Sequence, residues 1–127
     1  MTATHSDAQT GTMTWEDIVA LGSELPEVGE STCFGTPALR VGKRLLARFR
    51  PEDDSLVLLD VPVEERAMLI EADPLTFHMT PHYQDYPTVL ARLSALAPET
   101  ARAFLKRRWR NVAPKRALKL LEAGEQA

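Results

Sequence analysis

Few residues of this 127-residue chain carry active-site chemistry. His78 and His82 stand four apart, a spacing that suits a metal ion on a helix. Pro81 lies between them, however, and the preceding segment reads as a strand, so the two rings need not converge. Adding Cys33 and His5 gives no recognised zinc pattern, and no metal or other cofactor is expected. Cys33 as a nucleophile needs a base to hold its thiolate; His82 is a conceivable partner, but nothing in the sequence brings the two together, and a small half-buried thiol is the default. The adjacent carboxylates Asp53-Asp54 and Glu64-Glu65 do not face each other in a turn or helix, which argues against paired acid–base work. Phe34-Gly35-Thr36-Pro37 has one glycine and no Gly-Lys-Ser/Thr ending, so it is not a phosphate-binding loop. The most site-like stretch is the proline-bounded loop holding His82, Tyr83 and Tyr86. Its rings can stack on a base or line a small-molecule pocket, and with His78 on the strand before it they form a candidate ligand pocket. The same tyrosines can equally cap the core with their hydroxyls in water.

The elements that must position these residues follow from periodicity. Residues 1–12 are polar and aperiodic and read as a mobile tail, with one domain over 13–123. Thr14 is a good N-cap with Asp17 at the third helical position; Met13 and Ile18 are spaced as a staple, and Pro26 closes that first helical segment. Residues 31–34 read as extended. Residues 38–41 and 45–49 alternate apolar and basic around Gly42, as a hairpin does. A three-residue loop, Gly42-Lys43-Arg44, pairs Val41 with Leu45 and Leu39 with Ala47 and keeps the apolar residues on one side; a two-residue loop sets Arg40 against Leu45. Residues 56–59 are apolar on both faces and read as a central strand. Pro62, Glu64 and Glu65 open a helix that Asp73-Pro74 stops. Two strands follow, centred on Phe77 and Leu90. Pro98 then opens a helix with Ala101, Phe104, Leu105, Trp109 and Val112 inward, and Pro114 begins a last helical segment. The expected fold is α+β in two layers, an antiparallel sheet with helices on one face, in the order α-β3-α-β2-α.

Charge is laid down in blocks beneath a net charge of −3. Residues 40–50 hold five bases and no acid, and residues 106–119 hold seven bases and no acid, whereas residues 1–39 hold six acids and no base. A pI near 5.6 argues against non-specific coating of nucleic acid. The strand faces turned away from the helices collect Arg40, Leu46, Arg48, Arg50, Thr76, His78, Thr80, Leu90 and Arg92, which predicts a basic outer face that could neutralise phosphates. The longest apolar runs are four residues, far short of the roughly 20 that span a membrane. No signal-peptide pattern opens the chain, and one cysteine cannot make an internal disulfide. A cytosolic location without a membrane partner is expected.

Taken together, Trp15, Leu25-Pro26-Glu27-Val28, Phe34-Gly35-Thr36-Pro37-Ala38, Lys43, Thr80-Pro81-His82-Tyr83 and Trp109-Arg110-Asn111-Val112-Ala113-Pro114-Lys115-Arg116 resemble the MmcQ/YjbR family of small bacterial proteins. The similarity extends over about residues 13–121. It implies a compact fold with the same element order, similar in architecture to type III secretion chaperones, and a DNA-binding-like label with no catalytic residues to carry over.

Three functional expectations result. In the leading one a non-enzymatic protein binds DNA or another anionic partner through Lys43, Arg48, Arg50, Arg92, Lys115 and Arg116. In the second, the same sheet face binds a partner protein, with Leu46 and Leu90 as its apolar points. In the third, a small ligand occupies a pocket around His78, His82 and Tyr83, which requires a cavity of at least about 300 Å³.

Overall fold

A computed structural model describes residues 13–126 of the chain; the tail expected at 1–12 lies outside the described residues. Helix α1 spans Trp15–Gly22, and strands β1 to β4 follow at Val28–Cys33, Thr36–Val41, Arg44–Arg50 and Ser55–Leu59. Helix α2 covers Val63–Ala72, β5 is the short Phe77–His78, and β6 is Thr88–Arg92. Helices α3 (Pro98–Val112) and α4 (Lys115–Gln126) complete the chain. All six strands form one antiparallel sheet in the order β1-β2-β3-β4-β6-β5.

Four strands therefore precede α2, one more than the α-β3-α-β2-α order allows. The extended segments read at 31–34, 38–41, 45–49 and 56–59 correspond to these four, so the order undercounts them by one; β1 starts earlier than 31 because, as an edge strand with Gly29, Glu30, Ser31 and Thr32 exposed, it carries almost none of the alternation that marks a half-buried strand.

Local chemistry sets the helix boundaries. Thr14 Oγ1 accepts from the Asp17 amide while the Asp17 carboxylate accepts from the Thr14 amide, a complete capping box. Gly22 ends α1 against the sheet: a Cβ there would lie 2.6 Å from Leu39 Cδ1, so any larger residue would have to displace that enclosed leucine side chain. Helix α3 buries Ala101, Phe104, Leu105, Trp109 and Val112 along one stripe.

That stripe, together with Ile18 and Leu21 of α1 and Ala117 of α4, packs on Leu39, Val41, Ala47, Leu56, Leu58, Phe77, Val89 and Ala91. Helices thus cover one face of the sheet. Trp109, fully buried, also donates its indole N–H to the Pro26 carbonyl at 3.0 Å, tying α3 to the approach to β1.

The hairpin register differs from the expected one in an instructive way. Val41 pairs with Arg44 and Arg40 with Leu45 around a two-residue turn, yet Leu39 pairs with Ala47 and Ala38 with Arg48. A bulge at Leu46 absorbs the difference. The expected three-residue loop and its Val41–Leu45 pair are absent and the two-residue turn takes their place, whereas the expected Leu39–Ala47 pair is kept further in, because one extra residue separates them. Leu46 accordingly turns into the core, 1% exposed, and leaves the outer face where the alternation had placed it.

Candidate functional site

The register defines what the second face holds. Ala38, Arg48, Val57, Leu90 and His78 lie in one row across the sheet, with Arg50, Ser55 and Arg92 in the next. This face is not open. After β5 the chain makes a single 3₁₀ turn at Pro81–Tyr83 and folds Tyr83 over Val57 and Leu90, so that all three are buried. Leu90, expected outward as a contact point, is fully enclosed. Thr76 is buried as well, its hydroxyl donating to the Ala95 carbonyl.

The six residues expected to bind an anion do not form one positive surface. Arg50 is held by Asp53 at 3.2 Å and Glu52 at 3.9 Å. Arg92 donates to the carbonyls of Pro74 and Leu75. Arg48 donates to Thr36 Oγ1 and, at 2.5 Å, to the Tyr83 hydroxyl, bracing the covering loop from below. Lys43 sits exposed on the β2–β3 turn, while Lys115 and Arg116 belong to α4 in the helix layer. Arg116 is paired with Glu27 at 2.7 Å. The basic block of α3 is likewise bridged: Arg107 to Glu65, Arg108 to Asp60, and Lys106 and Arg110 to Glu125. Such surface pairs contribute at most about 1 kcal/mol each to stability, but they cancel charge locally.

His78 is on the sheet and apart from the loop cavity described below. Its Nε2 lies 2.8 Å from Ser55 Oγ and 3.8 Å from an Asp53 carboxylate oxygen. This is not a nucleophile–base–acid relay. Ser55 is fully buried, and the carboxylate approaches the same ring nitrogen as the hydroxyl rather than the opposite one. Burial, reinforced by Arg92 and Arg50 and opposed by Asp53, lowers the His78 pKa below its ordinary 6.5. An unfolded chain then binds a proton that the native state refuses. The stabilisation is complete above about pH 6.5 and is lost as pH falls toward the native value. Urea denaturation at pH 7 and pH 5 is expected to show wild type losing more stability on acidification than His78→Gln, which retains a hydrogen-bonding group beside Ser55. Equal losses would contradict this assignment.

The loop that covers the second face also builds a cavity. A hollow of about 480 Å³ is bordered by Phe34, Leu59, Asp60, His82, Tyr83, Tyr86, Pro87, Thr88 and Arg108. Four of its lining residues are aromatic: the His82 and Tyr83 rings meet edge to face at 4.7 Å, His82 and Tyr86 lie 6.2 Å apart at 32°, and Phe34 is the fourth. Phe34, at the β1–β2 tip, is 92% exposed and holds φ at +53°, a conformation that costs a bulky L-residue about 1 kcal/mol or more. The Arg48 guanidinium carbon lies 5.8 Å from its ring centroid. Asp60, also left-handed at φ +64°, ends β4 and marks the polar end of the cavity.

Burial alone would raise the Asp60 pKa. Hydrogen bonds from Asn111 and Arg108, with the charges of Arg108 and Arg107, outweigh it and hold the carboxyl below its ordinary range.

One residue holds the loop side of this wall. Arg66 of α2 is buried, 5% exposed, and its guanidinium donates to four backbone carbonyls of the loop, those of Tyr83, Gln84, Tyr86 and Thr88, at 2.9–3.1 Å. Sequence reading passed over Arg66, Asp60 and Arg108. A lone arginine in an acidic stretch gives no local signal, and the Arg108–Asp60 contact joins residues 48 apart. His82 and Tyr83, by contrast, do line the cavity. Among the described residues no cluster of three or more His, Cys, Asp or Glu is placed to hold a metal ion, and no helix is long and apolar enough to cross a membrane.

A six-stranded antiparallel sheet with four helices defines an α+β protein. The same fold occurs in the crystal structure of Deinococcus radiodurans protein DR2400, described as a DUF419 domain, with a TM-score of 0.65 over 90% of this chain and 91% of that one at 23% identity. The chain belongs to the YjbR family, whose model, described as YjbR, matches residues 23–121. Similar relatives include the uncharacterized protein Mb2600 of Mycobacterium bovis and the uncharacterized protein Rv2570 of Mycobacterium tuberculosis. Each is 29% identical over 119 residues, covering 80% of this chain and 90% of the relative.

Proposed function

We propose that this chain is a single-domain cytosolic binding protein that takes a small planar molecule into the cavity between the β1–β2 tip, the 81–88 loop and Arg108. The observation that carries this reading is the cavity itself: about 480 Å³, within the range of small-molecule sites, walled by four aromatic rings and closed at one end by a fixed ion pair. Phe34 strengthens it. A solvent-exposed aromatic ring at the rim of the cavity gains free energy when a ligand covers it.

Binding of DNA or another polyanion has weaker support, because Arg50 and Arg116 already hold carboxylates and Lys115 and Arg116 lie in the helix layer. Docking of a protein on the same sheet face has weaker support for a different reason, since Leu46 and Leu90 are buried.

The test is fluorescence titration of the full chain with the neutral dye N-phenyl-1-naphthylamine. Saturable one-to-one binding is expected, with Kd of roughly 10–100 µM for a ligand of this size. Phe34→Ala is expected to weaken it about fivefold, equivalent to partial burial of one ring, while leaving the melting temperature unchanged. Absence of dye binding, or binding indifferent to Phe34→Ala and Tyr86→Ala, would overturn the reading. In parallel, duplex DNA at low salt is expected not to bind; binding with a log–log salt slope near about −4.5 would restore the phosphate-contacting face.

A further inference from the structure

We infer that the cavity selects uncharged planar heterocycles bearing a carbonyl and an adjacent ring N–H on one edge, the lactam pattern of hydroxypurines, pteridinones and pyrimidinones. This deepens the binding reading above and rests on it. The aromatic walls alone specify only a flat ring, because any π-face stacks on tyrosine or histidine. Selectivity comes from the polar end.

There Arg108 is fixed at two points: Nε donates to the Leu45 carbonyl at 2.9 Å, and Nη1 donates to both Asp60 oxygens at 3.0 and 3.1 Å. Asp60 is fixed in turn by Asn111, whose amide donates to Oδ2 at 3.1 Å. Two capacities remain. Arg108 Nη2 has no hydrogen-bond partner among the described residues, and Asp60 Oδ1 accepts a single bond although a carboxylate oxygen can accept two.

A spare donor and a spare acceptor therefore belong to the two partners of one ion pair. The complementary ligand edge is a carbonyl, accepting from Nη2, next to an N–H, donating to Oδ1. Both groups belong to the cavity lining.

Charge excludes the alternatives. Arg108 and Asp60 carry opposite charges side by side, so the polar end has no net charge with which to hold an ion. A phosphate or carboxylate reaching for Arg108 meets the ionised Asp60, and an ammonium reaching for Asp60 meets Arg108. An amide edge satisfies both groups without separating them. Because the pair is held by Leu45 and Asn111 before any ligand arrives, little ordering remains at binding.

The experiment displaces N-phenyl-1-naphthylamine from the full chain with inosine, lumazine and uridine, and compares inosine with 1-methylinosine, which keeps the ring but blocks the lactam N–H. At least one lactam is expected to displace the dye, and 1-methylinosine to bind at least tenfold more weakly than inosine if inosine is the ligand that competes. Lumazine and uridine are each matched by their N3-methyl forms in the same way. Asp60→Asn is expected to weaken the competing lactam about tenfold and to erase most of its preference over the N-methyl form. Its circular dichroism and melting curve check the fold, and Asn111→Ala, at an exposed position, provides a second perturbation of the same carboxylate.

Dye binding without displacement by any lactam would overturn the lactam inference while leaving the cavity as a ligand site. So would equal affinity for a lactam and its N-methyl form. Failure of the dye itself to bind is the separate result that removes the binding reading.

Discussion

Arg66→Met is expected to destabilise the protein by about 3 kcal/mol and to abolish dye binding in the loop cavity. The side chains are similar in volume, so packing is nearly preserved and the loss isolates hydrogen bonding. Replacing a buried ion pair with apolar groups is often neutral, because both charges leave together. Here the partners are the backbone carbonyls of residues 83, 84, 86 and 88, which remain after the substitution. Each orphaned buried carbonyl costs about 1–3 kcal/mol; those of Tyr83 and Tyr86 keep the backbone N–H groups of Tyr86 and Thr88, and that of the exposed Gln84 can rehydrate, which brings the total down toward the stated figure. The melting temperature is expected to fall by roughly 10 °C. Arg66→Lys should recover only part of the loss, since a compact ammonium cannot span two guanidinium nitrogens' worth of acceptors. Urea denaturation with dye titration reads both effects. A variant within about 0.5 kcal/mol of wild type that still binds dye would show that the loop holds its shape without this clamp.

Trp109→Ala should be the most damaging single truncation, costing about 3–5 kcal/mol. Trp109 is among the largest fully enclosed side chains and sits where α3 meets the chain leading into β1. Its replacement by alanine opens a large cavity and also leaves the Pro26 carbonyl without its 3.0 Å donor. Trp109→Phe separates the two contributions: most volume is kept and the N–H is lost, with an expected cost of about 1–2 kcal/mol. If alanine and phenylalanine variants proved equally stable in equilibrium unfolding, the side chain would not be packed as described.

The comparison of sequence with structure divides along the range of the interactions. Features set within one element were legible. The Thr14–Asp17 box, the buried stripe of α3 and the centrality of β4 follow from spacings of two, three and four residues. Features set by distant parts of the chain were not. Nothing near Arg48 announces that its guanidinium meets Tyr83, 35 residues on, and the Arg116–Glu27 pair joins residues 89 apart. The expected open basic face failed for that reason. Alternation correctly placed Arg48, Arg50 and Arg92 on the second side of the sheet, but it could not show the loop that folds over Val57 and Leu90 and binds Arg48, nor the carboxylates and carbonyls that hold Arg50 and Arg92. The candidate cavity was half visible: His82, Tyr83 and Tyr86 stand together in sequence, whereas Phe34, Asp60 and Arg108 arrive from three other segments.

The bulge at Leu46 has an implication for how this chain can vary. Because a single surplus residue sits between the turn and the paired interior of the hairpin, the two are out of phase by one position. Removing Leu46 would restore an uninterrupted ladder without reversing the orientation of Ala47 or anything beyond it, at the cost of one enclosed leucine. Insertions and deletions at Gly42-Lys43 are thus buffered before they reach the strands that carry Arg48 and the cavity floor, so length variation among relatives should concentrate at that tip.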